Sequence, residues 1–174
     1  GSGLAAAIEA RALGRDVVLI EKNPQLGGST AWSIGSVTAT GTPHQARAGI
    51  VDSPEAHWRD MAGFNGDLDP RDNVELRRVL ADEMPDTFAW LLKYGVRFFG
   101  PMPEPPHTKP RMHNVLPNSR AFITHLSKAT RRAGVTIQCG VRATALVAEQ
   151  GRVVAVDCAS EDGPRRFRAR SGIV

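Results

Sequence analysis

The run Gly1-Ser2-Gly3-Leu4-Ala5-Ala6-Ala7-Ile8, followed by Asp16-Val17-Val18-Leu19-Ile20-Glu21, decides the fold class. Leu4 to Leu13 are good helix formers rich in alanine, and Gly14 supplies the residue that commonly stands just past a helix end. Residues 16–21 are a continuous apolar run closed by an acid, the pattern of a parallel strand covered on both faces. Helix then strand is the second half of a β-α-β unit, so the chain is expected to open on a Rossmann-like parallel sheet of the α/β class. Glycines at a helix start let the backbone approach a pyrophosphate, and the helix N-terminus offers it free N–H groups and a partial positive charge. The strand that normally leads into such a turn does not precede Gly1, and Gly172-Ile173-Val174 reads as the start of another buried strand. Both ends are therefore read as internal to a longer protein.

Glu21 stands where a dinucleotide fold places a carboxylate on the ribose hydroxyls, which disfavours a 2′-phosphate and hence NADP. The competing reading is a plain strand-end charge. The stretch Glu21-Lys22-Asn23-Pro24-Gln25-Leu26-Gly27-Gly28-Ser29-Thr30 then runs from the acid into a second glycine pair and two hydroxyls, which an NAD domain does not need. Hydroxyls and amides can hydrogen-bond an anion without adding charge.

These three elements resemble, in order and spacing, the flavoprotein family of fumarate reductases, succinate dehydrogenase flavoprotein subunits and 3-ketosteroid dehydrogenases. In that family a glycine-rich turn, a ribose-binding Glu and a Gly-Gly-x-Ser/Thr segment contact one FAD. The resemblance implies FAD as cofactor, held by Ser2, Gly3, Glu21, Lys22, Gly27, Gly28, Ser29, Thr30, Ser33, Gly35, Ser36 and Val141. Gly3 matches the third glycine of the fingerprint, and Ser29 and Thr30 match positions lining the pyrophosphate and flavin. In Ser33-Ile34-Gly35-Ser36, Gly35 matches one of a pair of family glycines beside the flavin ring, and the backbone at Val141 falls near the adenine.

The activity implied is hydride transfer between flavin N5 and a carbon-carbon bond next to a carbonyl or carboxylate, on a dicarboxylate or ketosteroid-like small molecule. The electron partner is unknown. The family residues that bind substrate and move a proton fall mostly outside this segment, so no catalytic acid or base is assigned and the chain alone is expected to be inactive. Alternatives are another FAD oxidoreductase, such as an amino-acid oxidase, or a non-catalytic flavin-binding module.

The expected organisation is a first FAD-binding part over residues 1–45, the start of an inserted helical substrate region over 46–117, and a return to the FAD-binding domain with a small antiparallel β-meander over 118–174. Ser53 before Pro54 and Asp69 before Pro70 read as helix starts, because each puts a capping oxygen before a proline. Phe88, Leu91 and Leu92 form the apolar stripe of a further helix ending at Gly95. Prolines at 101, 103, 105, 106, 110 and 117 predict a stiff extended loop from Gly100 to Pro117, without helix or central strand. A helix over 119–133 and strands over 135–139, 141–149, 152–159 and 165–170 follow, with hairpin turns at Gln150-Gly151 and Asp162-Gly163-Pro164.

With 41% hydrophobic and 23% charged residues in 174, the chain has the material for a globular core. No apolar run reaches the about 18 residues of a membrane span. The net charge of +4 is scattered except at Arg165, Arg166, Arg168 and Arg170, which read as a solvated strand face and not as a nucleic-acid surface, Phe167 being the single aromatic among them. Cys139 and Cys158 lie in apolar runs and read as small buried hydrophobes, which points to a reducing, cytoplasmic setting. His107, Lys109, Arg111 and His113 form the tempting polar cluster, able to clamp a carboxylate and shuttle a proton, against the plainer reading of a solubilising loop. No carboxylate or thiolate sits beside them in sequence, so no metal is expected.

Overall fold

The computed structural model describes all residues, 1–174. In chain order the elements begin with α1 (Ser2–Ala12), β1 (Val18–Glu21), α2 (Gly28–Trp32), β2 (Ser36–Thr38), α3 (Pro43–Arg47) and α4 (Pro54–Ala62). A 3-10 turn at Gly66–Arg71 leads to α5 (Val74–Lys93), then β3 (Arg97–Met102), β4 (Met112–Leu116) and α6 (Arg120–Arg132). The chain closes with β5 (Thr136–Cys139), β6 (Arg142–Glu149), β7 (Arg152–Ser160) and β8 (Gly163–Arg168). The class is α/β, and the chain divides into two compact units: residues 1–31 with 123–174, and residues 32–122.

In the first unit β1 pairs in parallel with β5, Val18 beside Thr136 and Glu21 beside Cys139. α1 buries Leu4, Ala7 and Ile8, residues spaced three, four and one apart on a single helix face. Strands β6, β7 and β8 form the antiparallel meander. The β6–β7 turn is Gln150-Gly151, both with positive φ (50° and 77°), which a two-residue hairpin of this hand requires. The next turn falls one position earlier than its sequence signal. Gly163 and Pro164 belong to β8, opposite Ser160 and Ala159, and a proline is tolerated there because β8 is an edge strand. Val141, Val156 and Cys158 form this unit's meander core, with Ile20 and Phe167 packed against them. Cys139, read from sequence as buried, is exposed; both cysteines are free thiols. Residues 171–174 are in no strand.

The arginine-rich end of the meander is a paired face. Arg166 bonds Asp157 through two nitrogens and Arg168 bonds Glu149 in the same way, while Arg170 reaches Asp16.

The second unit has the antiparallel order β2-β4-β3, with α3, α4 and α5 around it. Phe88 of α5 anchors a core with Ala39, Val96, Phe98 and Val115. Two sequence expectations fail in this unit. β4 is a central strand inside the proline-rich stretch: the prolines stop at 110 and resume at 117, and the proline-free residues between them pair on both sides. Asp69-Pro70 does not start an α-helix, because Pro70 lies within the 3-10 turn. The cap of α5 is Asn73, whose side chain accepts from the Leu76 N–H at 3.0 Å. That helix runs unbroken through Pro85 to Lys93, so the stripe of Phe88, Leu91 and Leu92 is its second half.

Candidate nucleotide-binding site

The residues expected to bind the cofactor fall into both units. In the first unit, α1 is capped by Gly1, which has no side chain to satisfy the first-turn N–H groups, and the first turn carries no acid. Ser2 and Gly3 open this turn and are exposed. An uncapped N-terminus of 11 helical residues suits an anionic group. A Cβ on Gly1 would stand 2.6 Å from Thr30 Oγ1, so the absence of a side chain lets the Thr30 hydroxyl approach the helix start.

Glu21 ends β1 with its carboxylate oriented by the backbone: Oε1 accepts from the Asn23 N–H at 2.8 Å. On the other side, the Val141 N–H donates to the Glu21 carbonyl at 2.9 Å and Gly140 donates to the Asn23 carbonyl at 3.0 Å. A main-chain contact from Val141 to a nucleotide therefore has to use its carbonyl.

Ile20, Glu21, Lys22, Val141, Arg142 and Ala143 line a cleft of about 410 Å³. That is within the size range of small-molecule sites, and its single carboxylate is suited to accept from hydroxyls. Two contributors had no clear sequence signal. Asn23 acts through its backbone, two residues beyond the acid it holds, and Arg142 reaches the cleft because β6 starts beside the end of β1.

Gly27 and Gly28 lead into the five-residue α2, Gly28 with φ of 53°, and Ser29 is exposed on it while Thr30 turns toward Gly1. Ser33, Gly35 and Ser36 lie in the second unit. The Ser36 hydroxyl donates to Asn114 Oδ1 at 2.6 Å. Gly35 is buried with φ of 84°, and a Cβ there would overlap Val115 and come within 3.3 Å of Ser119 Cα.

The FAD binding domain family matches the chain over residues 1–174. This chain belongs to that family. FAD is the cofactor of this oxidoreductase family domain, and the uncapped α1, the Thr30 hydroxyl and the Glu21 cleft fit an adenosine diphosphate moiety in charge and hydrogen-bonding chemistry.

Among curated relatives, the FAD binding domain is 36% identical over 96 residues to a fumarate reductase (cytochrome) of Shewanella frigidimarina, covering 55% of this chain and 16% of that protein. It is 30% identical over 94 residues to a 3-oxosteroid 1-dehydrogenase of Mycolicibacterium smegmatis, covering 54% of the chain and 16% of the relative. The chain thus spans about a sixth of the length of these relatives. Among solved structures, a 3-ketosteroid-delta4-(5alpha)-dehydrogenase of Rhodococcus jostii RHA1 matches with 26% identity and a TM-score of 0.85, over 98% of this chain and 42% of that one. An open flavocytochrome c3 fumarate reductase shares the fold at 23% identity and a TM-score of 0.86, over 98% of this chain and 30% of that one. No helix is long and apolar enough to cross a membrane.

The loop cluster of the second unit is a structural network. Arg111 is fully buried; its Nε and one terminal nitrogen bond both Asp52 oxygens at 2.7 Å, and the other terminal nitrogen bonds Asp60 at 2.5 Å. Burial alone would raise the Asp52 carboxyl, but hydrogen bonds from Arg111 and Gln45 hold it well below the usual carboxylate range. Fully buried, with Nε and both terminal nitrogens bonded to protein groups, the guanidinium is closed to a substrate carboxylate. Its two acids lie 59 and 51 residues upstream, which is why the sequence around Arg111 showed no partner.

Proposed function

We propose that the chain holds the adenosine and pyrophosphate end of FAD and the first part of a substrate region, in an oxidoreductase acting on a carbon-carbon bond next to a carbonyl or carboxylate. The observation that carries this is the convergence, in one unit, of an uncapped α1 start, the backbone-oriented Glu21 carboxylate and the cleft beside Val141.

In this reading the first-turn N–H groups of α1, at Ser2 and Gly3, bind the pyrophosphate, with the Thr30 hydroxyl beside them. Glu21 accepts from the ribose hydroxyls, and the Asn23 N–H keeps it in position. Lys22 and the Val141 carbonyl border the adenine side, and Gly27, Gly28 and Ser29 continue the phosphate-facing backbone. Ser33, Gly35 and Ser36 approach the flavin ring, and residues 46–117 begin the substrate region between FAD-binding parts at 1–45 and 118–174. Bound FAD supplies a hydride acceptor or donor at N5; the protein supplies position and charge. The reaction class rests on the named fumarate reductase and 3-oxosteroid dehydrogenase relatives, which also make a dicarboxylate or a ketosteroid the substrate to try first.

The test is a visible spectrum of the full-length protein that carries this chain, before and after anaerobic addition of succinate or a 3-ketosteroid. A flavin spectrum bleached by one of them supports the reading. In parallel, Glu21→Gln is expected to weaken FAD binding about tenfold, roughly 1.4 kcal/mol, by fluorescence titration. A colourless protein that cannot be reconstituted with FAD overturns the proposal.

A further inference from the structure

The chain enters β2 through Gly35, whose carbonyl accepts from the Val115 N–H of β4 at 3.0 Å. Ser36 is the register partner of Asn114, and its hydroxyl donates to Asn114 Oδ1 at 2.6 Å. Directly opposed residues of an antiparallel pair project from the same sheet face. Ser36 and Asn114 are both half-buried on that face. The opposite face is closed by the unit's own core: His113, Val115 and Phe98, which alternate with this row, are 0%, 4% and 6% exposed. A planar ring lying against the side chains at the start of β2 therefore meets Ser36 and Asn114 together.

The hydrogen-bonding groups of this pair are unequally used. A hydroxyl carries one hydrogen, and that of Ser36 is committed to Asn114. The amide carries two hydrogens on Nδ2, and accepting at Oδ1 uses neither. Ser36 thus holds the amide with Oδ1 turned toward β2, so that the pair has N–H groups to offer and no spare O–H. Thr38, on the same face, gives its hydroxyl hydrogen to Glu104 at 2.9 Å and does not compete. A flavin ring presents carbonyl oxygens and ring nitrogens along its pyrimidine edge, and these gain electron density when the ring takes up two electrons. A pre-oriented neutral donor stabilises that form more than the oxidised one.

We propose, resting on the flavin-facing reading of Ser33, Gly35 and Ser36, that Asn114 donates from Nδ2 to the pyrimidine edge of the bound flavin and, oriented by Ser36, raises its reduction potential. A higher potential favours hydride uptake by the flavin over hydride release.

The experiment uses the full-length protein that carries this chain, loaded with FAD, and reads the two-electron midpoint potential by reduction against a reference dye at neutral pH. Asn114→Asp keeps the side-chain size and the oxygen that accepts from Ser36, but replaces the N–H donors with an anionic oxygen. It is expected to lower the midpoint by about 30 mV or more, a tenfold change in the ratio of reduced to oxidised flavin. Asn114→Leu removes the donor without adding charge and is expected to lower it by about 15 mV, roughly threefold. Ser36→Ala keeps the donor, frees the amide to turn, and is expected to lower it in the same direction by less. If Asn114 only pinned β2 to β4, the variants would move the urea midpoint and leave the potential where it was. A wild-type protein that takes up no FAD overturns the cofactor reading and this role with it. Bound FAD at an unchanged potential in all three variants, or a potential lowered in Asn114→Asp alone, overturns the role of Asn114 and leaves the cofactor reading standing.

Discussion

At the scale of single residues, Gly35 shows a fold requirement at a position that the proposed function also places beside the flavin. Gly35 holds φ of 84° in a buried position where a Cβ would overlap Val115. Gly35→Ala combines a left-handed backbone with overpacking and is expected to lower stability by about 2–3 kcal/mol in urea unfolding. A loss below roughly 0.5 kcal/mol would mean that the β2 entry relaxes around the added methyl. Glu21 was legible from its place at the end of an apolar run. Asn23 was not, because it orients the carboxylate with a backbone N–H that any residue other than proline could supply. Arg111 misled in the other direction. With His107, Lys109 and His113 it read either as a carboxylate clamp or as part of a solubilising loop, and it is the buried centre of an ion network.

At the scale of elements, local rules worked where local chemistry is sufficient. Ser53 caps α4 as its sequence predicted, its hydroxyl accepting from the Ala56 N–H at 3.1 Å. Asp69-Pro70 carries the same signal and fails, because Asn73 offers a competing cap four residues on and the chain takes one 3-10 turn first. Asn73→Ala is expected to cost about 1 kcal/mol, read as a lower thermal midpoint, whereas Asp69→Ala should change it little. Equal effects from the two substitutions would contradict the cap assignment. Proline density was a poor guide between residues 111 and 116, since each proline excludes a ladder bond at its own position and does not exclude one several residues away.

At the scale of the whole molecule, the buried charges set the dependence of stability on pH. Asp52 and Asp60 are pushed up by burial but pulled further down by the Arg111 hydrogen bonds, so both carboxyls are lowered in the folded state. Their contribution is present above the ordinary carboxylate range near about 4 and is lost as pH falls through the folded values. His57 is lowered to about 4, so the unfolded chain takes up its proton first as pH falls from about 6.5, and that contribution fades over the same direction. Urea unfolding is therefore expected to show a midpoint that declines steadily below about pH 6.5. Arg111→Met leaves two acids buried without their cation and is expected to cost about 3–5 kcal/mol at neutral pH. The lost stability should be partly recovered toward acid, where the stranded acids protonate; a parallel decline in variant and wild type would refute this role.

The sequence by itself determined the helix-strand-acid opening, the second glycine pair, the antiparallel meander and the FAD family, because each rests on short-range periodicity, turn chemistry or motif order. Tertiary structure alone decided that Val18 lies beside Thr136, that Arg111 meets Asp52 and Asp60, and that His57 lines an apolar cleft. Those contacts join residues far apart in the chain, and their stabilisation comes from burial and charge pairing once the loops between them have closed, which no local pattern records.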